Sequence, residues 1–392
     1  MTPLLKKFLG INWILAATIL GLLVFGVFAV YAACAHRGPE FENVWSQQIK
    51  WICLGMAVFF GASIIDYKWV RWGAPIAYLA GLAGLLALQK FAVEIYGQSS
   101  WLRIAGFSIQ PSQFAIVAGI LLLAVGLSEL QRVIPAFRYH FLRLLITAIA
   151  AGIPMFLVIK DDLGSGMVWA PVLASMWLVG NIPYRYLITG FLIVLCVIPI
   201  GYFFVLKEHQ QKRIDTLFKL WKGEKINTRA EGWDIHNVTT AIGSAGWDGK
   251  GFLGKRVPEQ RTINRMKFIP DTAINDYIFP VIAEEQGFRG SMLMISALAF
   301  LLLQCIFIAF SSRDQLGRLI AVGAVAMLFF HIFWNIGMCL LLVPIAGIPL
   351  PLISYGGTFM LCVLFLLGMT QSVWVHRNTP STTKPPAEEP AL

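Results

Sequence analysis

The stretch Phe268-Ile269-Pro270-Asp271-Thr272-Ala273-Ile274-Asn275-Asp276-Tyr277-Ile278-Phe279-Pro280-Val281-Ile282-Ala283-Glu284-Glu285-Gln286-Gly287 joins two kinds of chain. A long segment rich in charge precedes it, and an apolar segment running to about residue 310 follows. It reads as a membrane edge, where a polar loop returns to hydrocarbon. Pro280 suits the first turn of a helix, where a missing N–H costs little. Asp276 stands directly before the apolar Tyr277-Ile278-Phe279. The dipole at a helix start favours an ionised carboxylate, while desolvation beside lipid opposes it. A carboxylate balanced between those influences suits a general base. The plainer role for the same residue is an N-cap at the interface.

Composition agrees with a membrane edge. The 392 residues are 57% hydrophobic and 13% charged, against roughly 25% charged in soluble domains. Mean hydropathy is +0.70. Apolar runs near the ~20 residues that cross a bilayer recur along nearly the whole chain. Backbone groups in hydrocarbon must be satisfied internally, and runs this long and continuous predict helices rather than a barrel. The expectation is an all-α polytopic membrane protein, one membrane domain over residues 1–392 with about ten transmembrane helices. The spans fall near 12–34, 49–65, 74–93, 111–127, 143–160, 165–180, 186–206, 279–310, 318–343 and 355–375. The run 279–310 exceeds one crossing, so part of it is expected at the interface or above the membrane. The first run is too long for a cleavable signal peptide and lacks a small-residue cleavage site. Cys34, Cys53, Cys196, Cys305, Cys339 and Cys362 show no metal or disulfide spacing and read as packing residues.

With ten spans, Lys6, Lys7, Lys68, Arg71, Arg132, Arg138, Arg143, Arg185, Arg313, Arg318 and Arg377 fall on one side. Arg37, Arg103 and Lys160 fall on the other. The bias of Lys and Arg toward the cytoplasm then puts both termini inside. The tail 376–392, with Pro, Thr and Glu, reads as disordered. Residues 207–277 form a long outer loop that also carries Trp221, Ile226, Trp233, Val238 and Ile242, so it is expected to fold onto the membrane. Its Lys and Arg serve either anionic headgroups or a phosphorylated, lipid-linked substrate. Arg213 suits a pyrophosphate held by two parallel hydrogen bonds. The net charge of +10 suits anionic membrane lipids. Because the basic residues lie in loops between spans, they do not argue for nucleic acid.

On this topology every polar motif at a span edge faces outward. Gly97-Gln98-Ser99-Ser100-Trp101 and Gln110-Pro111-Ser112-Gln113 flank the fourth span, and Lys160-Asp161-Asp162 opens the sixth. Asp276 opens the eighth, and Ser354-Tyr355-Gly356-Gly357 the tenth. Four loops are expected to converge on one outer cavity, where ionisable residues are functional candidates. Asp161-Asp162 suits a divalent cation such as magnesium on a diphosphate, or simple helix capping. Ser354-Tyr355-Gly356-Gly357 suits a tight turn or N–H donors to a phosphate. His331 and Asn335 read as helix–helix hydrogen bonders.

The sequence Asn335-Ile336-Gly337-Met338 followed by Ile348-Pro349-Leu350-Pro351-Leu352-Ile353-Ser354-Tyr355-Gly356-Gly357-Thr358 resembles the C-terminal signature of the SEDS family (shape, elongation, division and sporulation). Asn275-Asp276-Tyr277-Ile278-Phe279 with Ala283-Glu284-Glu285-Gln286-Gly287 resembles another of its segments. Ala241-Ile242-Gly243-Ser244-Ala245-Gly246 and Gly249-Lys250-Gly251 are similar to its RodA branch, and Gln211-Lys212-Arg213-Ile214 to its Arg-containing motif. The resemblance implies a peptidoglycan glycosyltransferase that polymerises lipid II at the outer face of the bacterial cytoplasmic (inner) membrane during elongation. It implies a growing glycan strand and a class B penicillin-binding protein, the transpeptidase, as partners, with other elongation-complex membrane proteins. It places the catalytic carboxylate on Asp276. Arg213, Lys212 and Lys250 are candidates for the diphosphate, and Asp162, Ser354, Tyr355, Gly356 and Gly357 for diphosphate or sugar. No metal site is expected from spacing, and no cofactor is fixed. The alternatives are a lipid II transporter (flippase) and a non-catalytic scaffold. Three departures stand out. Gln113 and Ile116 replace a Glu and a Lys of the family pattern, Asp161 replaces a proline, and the approach over residues 270–275 is one residue longer than the family spacing and lacks its His, which leaves Asp271 in competition with Asp276 as the functional acid.

Overall fold

The computed structural model describes residues 3–35, 37–95, 98–104, 107–130, 139–159, 162–204, 206–224, 227, 232–255, 262–264 and 269–378. Gly97, Arg132, Arg138, Lys160, Asp161, Ile226, Phe268 and the tail from 379 lie outside the described residues. A short α1 (Pro3–Leu9) leads into α2 (Trp13–Cys34), α3 (Val44–Ile64) and α4 (Val70–Phe91). Three antiparallel strands follow, β1 (Val93–Ile95), β2 (Gln98–Ile104) and β3 (Phe107–Ile109), paired in the order β1-β2-β3. Next come α5 (Pro111–Ser128), α6 (His140–Ile159), α7 (Leu163–Met167), α8 (Trp169–Val179) and α9 (Tyr184–Phe204). The long loop holds α10 (Glu208–Trp221) and α11 (Trp233–Gly243). The chain closes with α12 (Ile278–Ser311), α13 (Gln315–Cys339) and α14 (Gly357–Val375).

Among the described residues, eight helical stretches are long and apolar enough to cross a membrane, and Leu163–Val179 and Tyr184–Cys196 are shorter apolar helices. These ten coincide with the ten apolar runs. Outward-facing Ile76, Phe156, Phe191, Leu293 and Phe310 are exposed, as lipid-facing side chains are in a bundle of this kind. Nearly all of α5 is enclosed instead. Helices in lipid gain little from hydrophobic burial and associate through close packing. At Gly119 on α5, an added Cβ would collide with the ring of the fully buried Trp169 on α8.

The loop between α9 and α12 is fastened to the bundle. Gln211 Nε2 donates to Tyr202 O at 2.7 Å, Tyr202 Oη to Asp215 at 2.6 Å, and Trp221 Nε1 to Leu341 O at 3.0 Å. α11 buries Ile235, Val238 and Ala241. That is the one-faced pattern by which an amphipathic helix docks.

α12 is two helices in line. Gly287, at φ 68° and ψ −165°, breaks it. Before the break, residues 278–285 are buried on every side. Beyond it, Phe288–Ser311 is 24 residues, about 36 Å at 1.5 Å per residue, enough to cross the ~30 Å hydrocarbon. The excess length anticipated in this run is therefore a separate segment packed within the protein. The loop 246–251 covers both broken ends. Glu284 O and Glu285 O accept from Lys250 N and Gly251 N at 2.9 and 2.8 Å. Phe288 N and Arg289 N donate to Gly246 O and Trp247 O at 2.9 and 3.2 Å.

Only glycine adopts the Gly287 conformation cheaply, and an added Cβ would strike the Gly249 backbone. Gly287→Ala is expected to destabilise the protein by roughly 1–3 kcal/mol, read as a lower unfolding temperature in detergent.

Candidate active site

The site builds outward from the backbone of Asp276. A 3-10 turn over Asp271–Ile274 lets Thr272 O accept from Asn275 N, Asp276 N and Tyr277 N at 2.9, 2.8 and 3.3 Å. The carbonyls on the other side are held one by one. Ile274 O accepts from Tyr355 N at 2.8 Å, Asn275 O from Ser354 Oγ at 2.5 Å, and Asp276 O from Asn335 Nδ2 at 2.8 Å. The Asn335 amide also donates to Ile348 O at 2.6 Å, and Ser354 Oγ accepts from Leu350 N at 2.9 Å. Within this turn the fully buried Leu352 sits at φ 65°, a region uncommon for any residue but glycine.

The Asp276 side chain is left unengaged. It accepts no hydrogen bond from the described residues and faces a cavity of about 340 Å³. Arg213 from α10 and Asp234 from α11 line the same cavity, with Trp101 from β2, Gln110, Asn275, Tyr355 and Gly356. Asn275 Oδ1 is buried without a hydrogen-bond partner among the described residues.

Charge in the cavity is uneven. Burial, with the like charge of Asp162 added, pushes the Asp276 carboxyl up to about 7, and Arg213 opposes the shift. Burial also pushes Asp234 up, against the pull of Arg213. Arg213 itself forms no salt bridge among the described residues.

The expected residues separate by place. Arg213, Tyr355 and Gly356 share the cavity with Asp276. Asp162 lies one layer behind and caps α7 through Ser165 N at 3.0 Å. Its second oxygen accepts from Ser165 Oγ at 2.6 Å and Gln110 Nε2 at 2.9 Å. Ser354 is behind the wall, and Gly357 packs so closely on Trp51 that a Cβ would collide with the indole. Lys212 pairs with Glu208 at 2.8 Å, away from the lining. Lys250 is also off the cavity: buried, it bonds Glu284 at 2.8 Å and Ser244 Oγ at 2.9 Å. Asn335 does not bond helix to helix as anticipated, because its amide bridges two loop carbonyls. His331 Nδ1 meets Met327 O of its own helix at 2.9 Å, and its ring stacks on Phe359. The Asp271 side chain is outside the described set. Asp234 was not singled out from the sequence. Its one signal is an acid inside a segment dominated by Lys and Arg.

The family model described as "Cell cycle protein", covering FtsW, RodA and SpoVE, matches residues 11–379. The chain belongs to the SEDS family. Peptidoglycan glycosyltransferase MrdB of Escherichia coli strain K12 is 26% identical over 360 residues, 92% of each chain. A probable peptidoglycan glycosyltransferase FtsW of Geobacter metallireducens is 30% identical over 383 residues, 94% of this chain and 96% of the relative. A chain from a peptidoglycan synthase complex superposes with TM-score 0.74 at 21% identity, covering 94% of this chain and 99% of that one. RodA of Thermus thermophilus superposes at 0.66 and 21% identity, covering 94% and 98%. The bundle is therefore a RodA-like SEDS fold. Two polar span-edge segments far apart in sequence meet in it, since Gln110, Ser112 and Gln113 all bond to Asp162 or Ser165.

The electrostatics have a signed consequence. Removing a like charge eases ionisation of Asp276, and removing an opposite charge hinders it. In infrared titration, a carboxyl band present in the wild type and absent from Asp276→Asn is expected to titrate near 7. Asp162→Asn should move that midpoint down, and Arg213→Gln should move it up.

Proposed function

We propose that the chain polymerises lipid II into glycan strands at the outer face of the bacterial cytoplasmic membrane, in the RodA-like role in elongation, with both termini cytoplasmic. A class B penicillin-binding protein supplies the crosslinking. The observation that carries this reading is a carboxylate on a pinned backbone, sharing a cavity with a guanidinium, neither of them engaged in an ion pair among the described residues. Glycosyl transfer needs that pair. As the acceptor sugar oxygen attacks the anomeric carbon, its proton passes to Asp276. The bond from that carbon to the diphosphate oxygen breaks, and undecaprenyl pyrophosphate leaves with the electron pair. Arg213 receives the developing negative charge. A base titrating near 7 is matched to neutral pH. The buried Asn275 Oδ1 offers an acceptor to a second sugar hydroxyl.

A lipid II transporter would also use a broken helix, which favours a look at Gly287. The backbone groups on both sides of that break bond to the 246–251 loop, so the break serves to fasten a loop. A non-catalytic scaffold would have no use for an acid that no described residue pairs, beside Arg213.

The test is glycan-strand formation from purified lipid II by detergent-solubilised protein, with and without its cognate penicillin-binding protein. Asp276→Asn is expected to lose activity by about 10²–10⁴-fold while unfolding at the wild-type temperature. Undiminished product from that variant would remove Asp276 as the base. Because the ionised form is the base, the wild-type rate should rise with pH through a midpoint near 7 and then level.

A further inference from the structure

Asp234 has no place in the reaction as derived, yet it lines the same cavity as Arg213 and Asp276. It stands on α11, whose buried Ile235, Val238 and Ala241 fix the helix against the bundle. Arg213 comes from α10 of the same loop. No salt bridge joins Arg213 to either carboxylate, and among the described residues none occupies its donors.

We propose that Asp234 is a positioning counter-charge to Arg213 that weakens the cavity's hold on a diphosphate and so promotes release of the leaving group. The proposal rests on the glycosyl-transfer reading. A guanidinium that grips the diphosphate equally before and after transfer speeds nothing and retards turnover. A fixed carboxylate competes for the same guanidinium and so offsets part of its attraction for the diphosphate, an effect that acts only through Arg213. Asp276 cannot fill this role, since it is neutralised when it takes the acceptor proton. Asp234 stays outside that proton transfer and keeps its field through the cycle.

The probe is inorganic pyrophosphate, titrated calorimetrically into full-length protein in detergent at fixed ionic strength. Asp234→Asn and Asp234→Ser should each bind pyrophosphate more tightly than wild type, by roughly fivefold for one screened charge. Arg213→Gln should bind more weakly. In the Arg213→Gln background, Asp234→Asn should change affinity by less than about twofold, because coupled residues are not additive. A residue that only supported the fold would lose affinity on substitution. Unchanged or weaker binding by both Asp234 variants overturns the proposal. So does equal tightening without Arg213, or no saturable binding by wild type and variants alike. The titration needs no turnover, so failure to polymerise lipid II would overturn the glycosyl-transfer reading separately. Normal polymerisation with unchanged pyrophosphate affinity would overturn the role of Asp234 alone.

Discussion

Three consecutive carbonyls, those of Ile274, Asn275 and Asp276, each meet a donor from the far side of the molecule. The donors are a backbone N–H, a serine hydroxyl and an asparagine amide. None forms part of a helix or strand ladder, so each replaces a bond that regular structure would have supplied. The result is a loop residue whose backbone groups are hydrogen-bonded as fully as those of a helix. The Asn335 amide matters most, because it spends both hydrogens, one on Asp276 O and one on Ile348 O. One side chain inside α13 thereby ties the backbone of the acid to the 347–349 stretch, whose Gly347 and Pro349 line the cavity. Catalytic groups need such placement to within a fraction of an ångström. The side chain meanwhile is engaged by none of the described residues, and that is what reaction with a ligand requires.

The same loop is secured a second time, farther from the acid. The buried Glu284 carboxylate accepts from Lys250 Nζ at 2.8 Å, Ile263 N at 2.6 Å and Asn264 N at 3.2 Å. Asn264 Nδ2 then donates to Ala32 O at 3.0 Å, and Arg37 donates to Ile269 O at 2.9 Å. A buried ion pair is rarely a large net stabiliser, since both charges lose their water. Here its value is geometric. Glu284 gives partners to two loop N–H groups and ties them to the segment ahead of the Gly287 break. Lys250 contributes to the site at a distance, by shaping the path of the chain that delivers Asp276.

The spans were legible because each is a continuous apolar run near bilayer length, and that signal survives without knowledge of neighbours. The motifs pointed to Asp276, Arg213 and the 354–357 turn for a related reason: polar residues at span edges stand out against an apolar chain. What was not legible depends on pairing across the fold. The short strands between α4 and α5 lack a strong alternating pattern. The break at Gly287 depends on a loop almost forty residues earlier. Lys250 looked like a free cation because its partner, Glu284, is remote in sequence. Asn335 sits mid-helix at helical spacing from His331, and nothing local says that its amide leaves the helix. Asp234 carries no motif, and it becomes visible only when α10 and α11 turn toward the same space.

The departures at Gln113 and Ile116 make physical sense together. Ser165 has one hydroxyl hydrogen, and it goes to Asp162 at 2.6 Å. Its lone pair is then free to accept from Gln113 Nε2 at 3.0 Å. A carboxylate at 113 would compete with Asp162 for that single hydrogen, and it would add a like charge beside an acid that is already buried. The amide avoids both. Ile116 is fully buried, so a lysine there would need the very carboxylate that Gln113 removes. Exchanging both members leaves no stranded charge and no net change in charge. Asp162 keeps its donors from Ser165 and Gln110 and remains the like charge that raises Asp276. The two neutral residues therefore preserve the electrostatic setting of the acid.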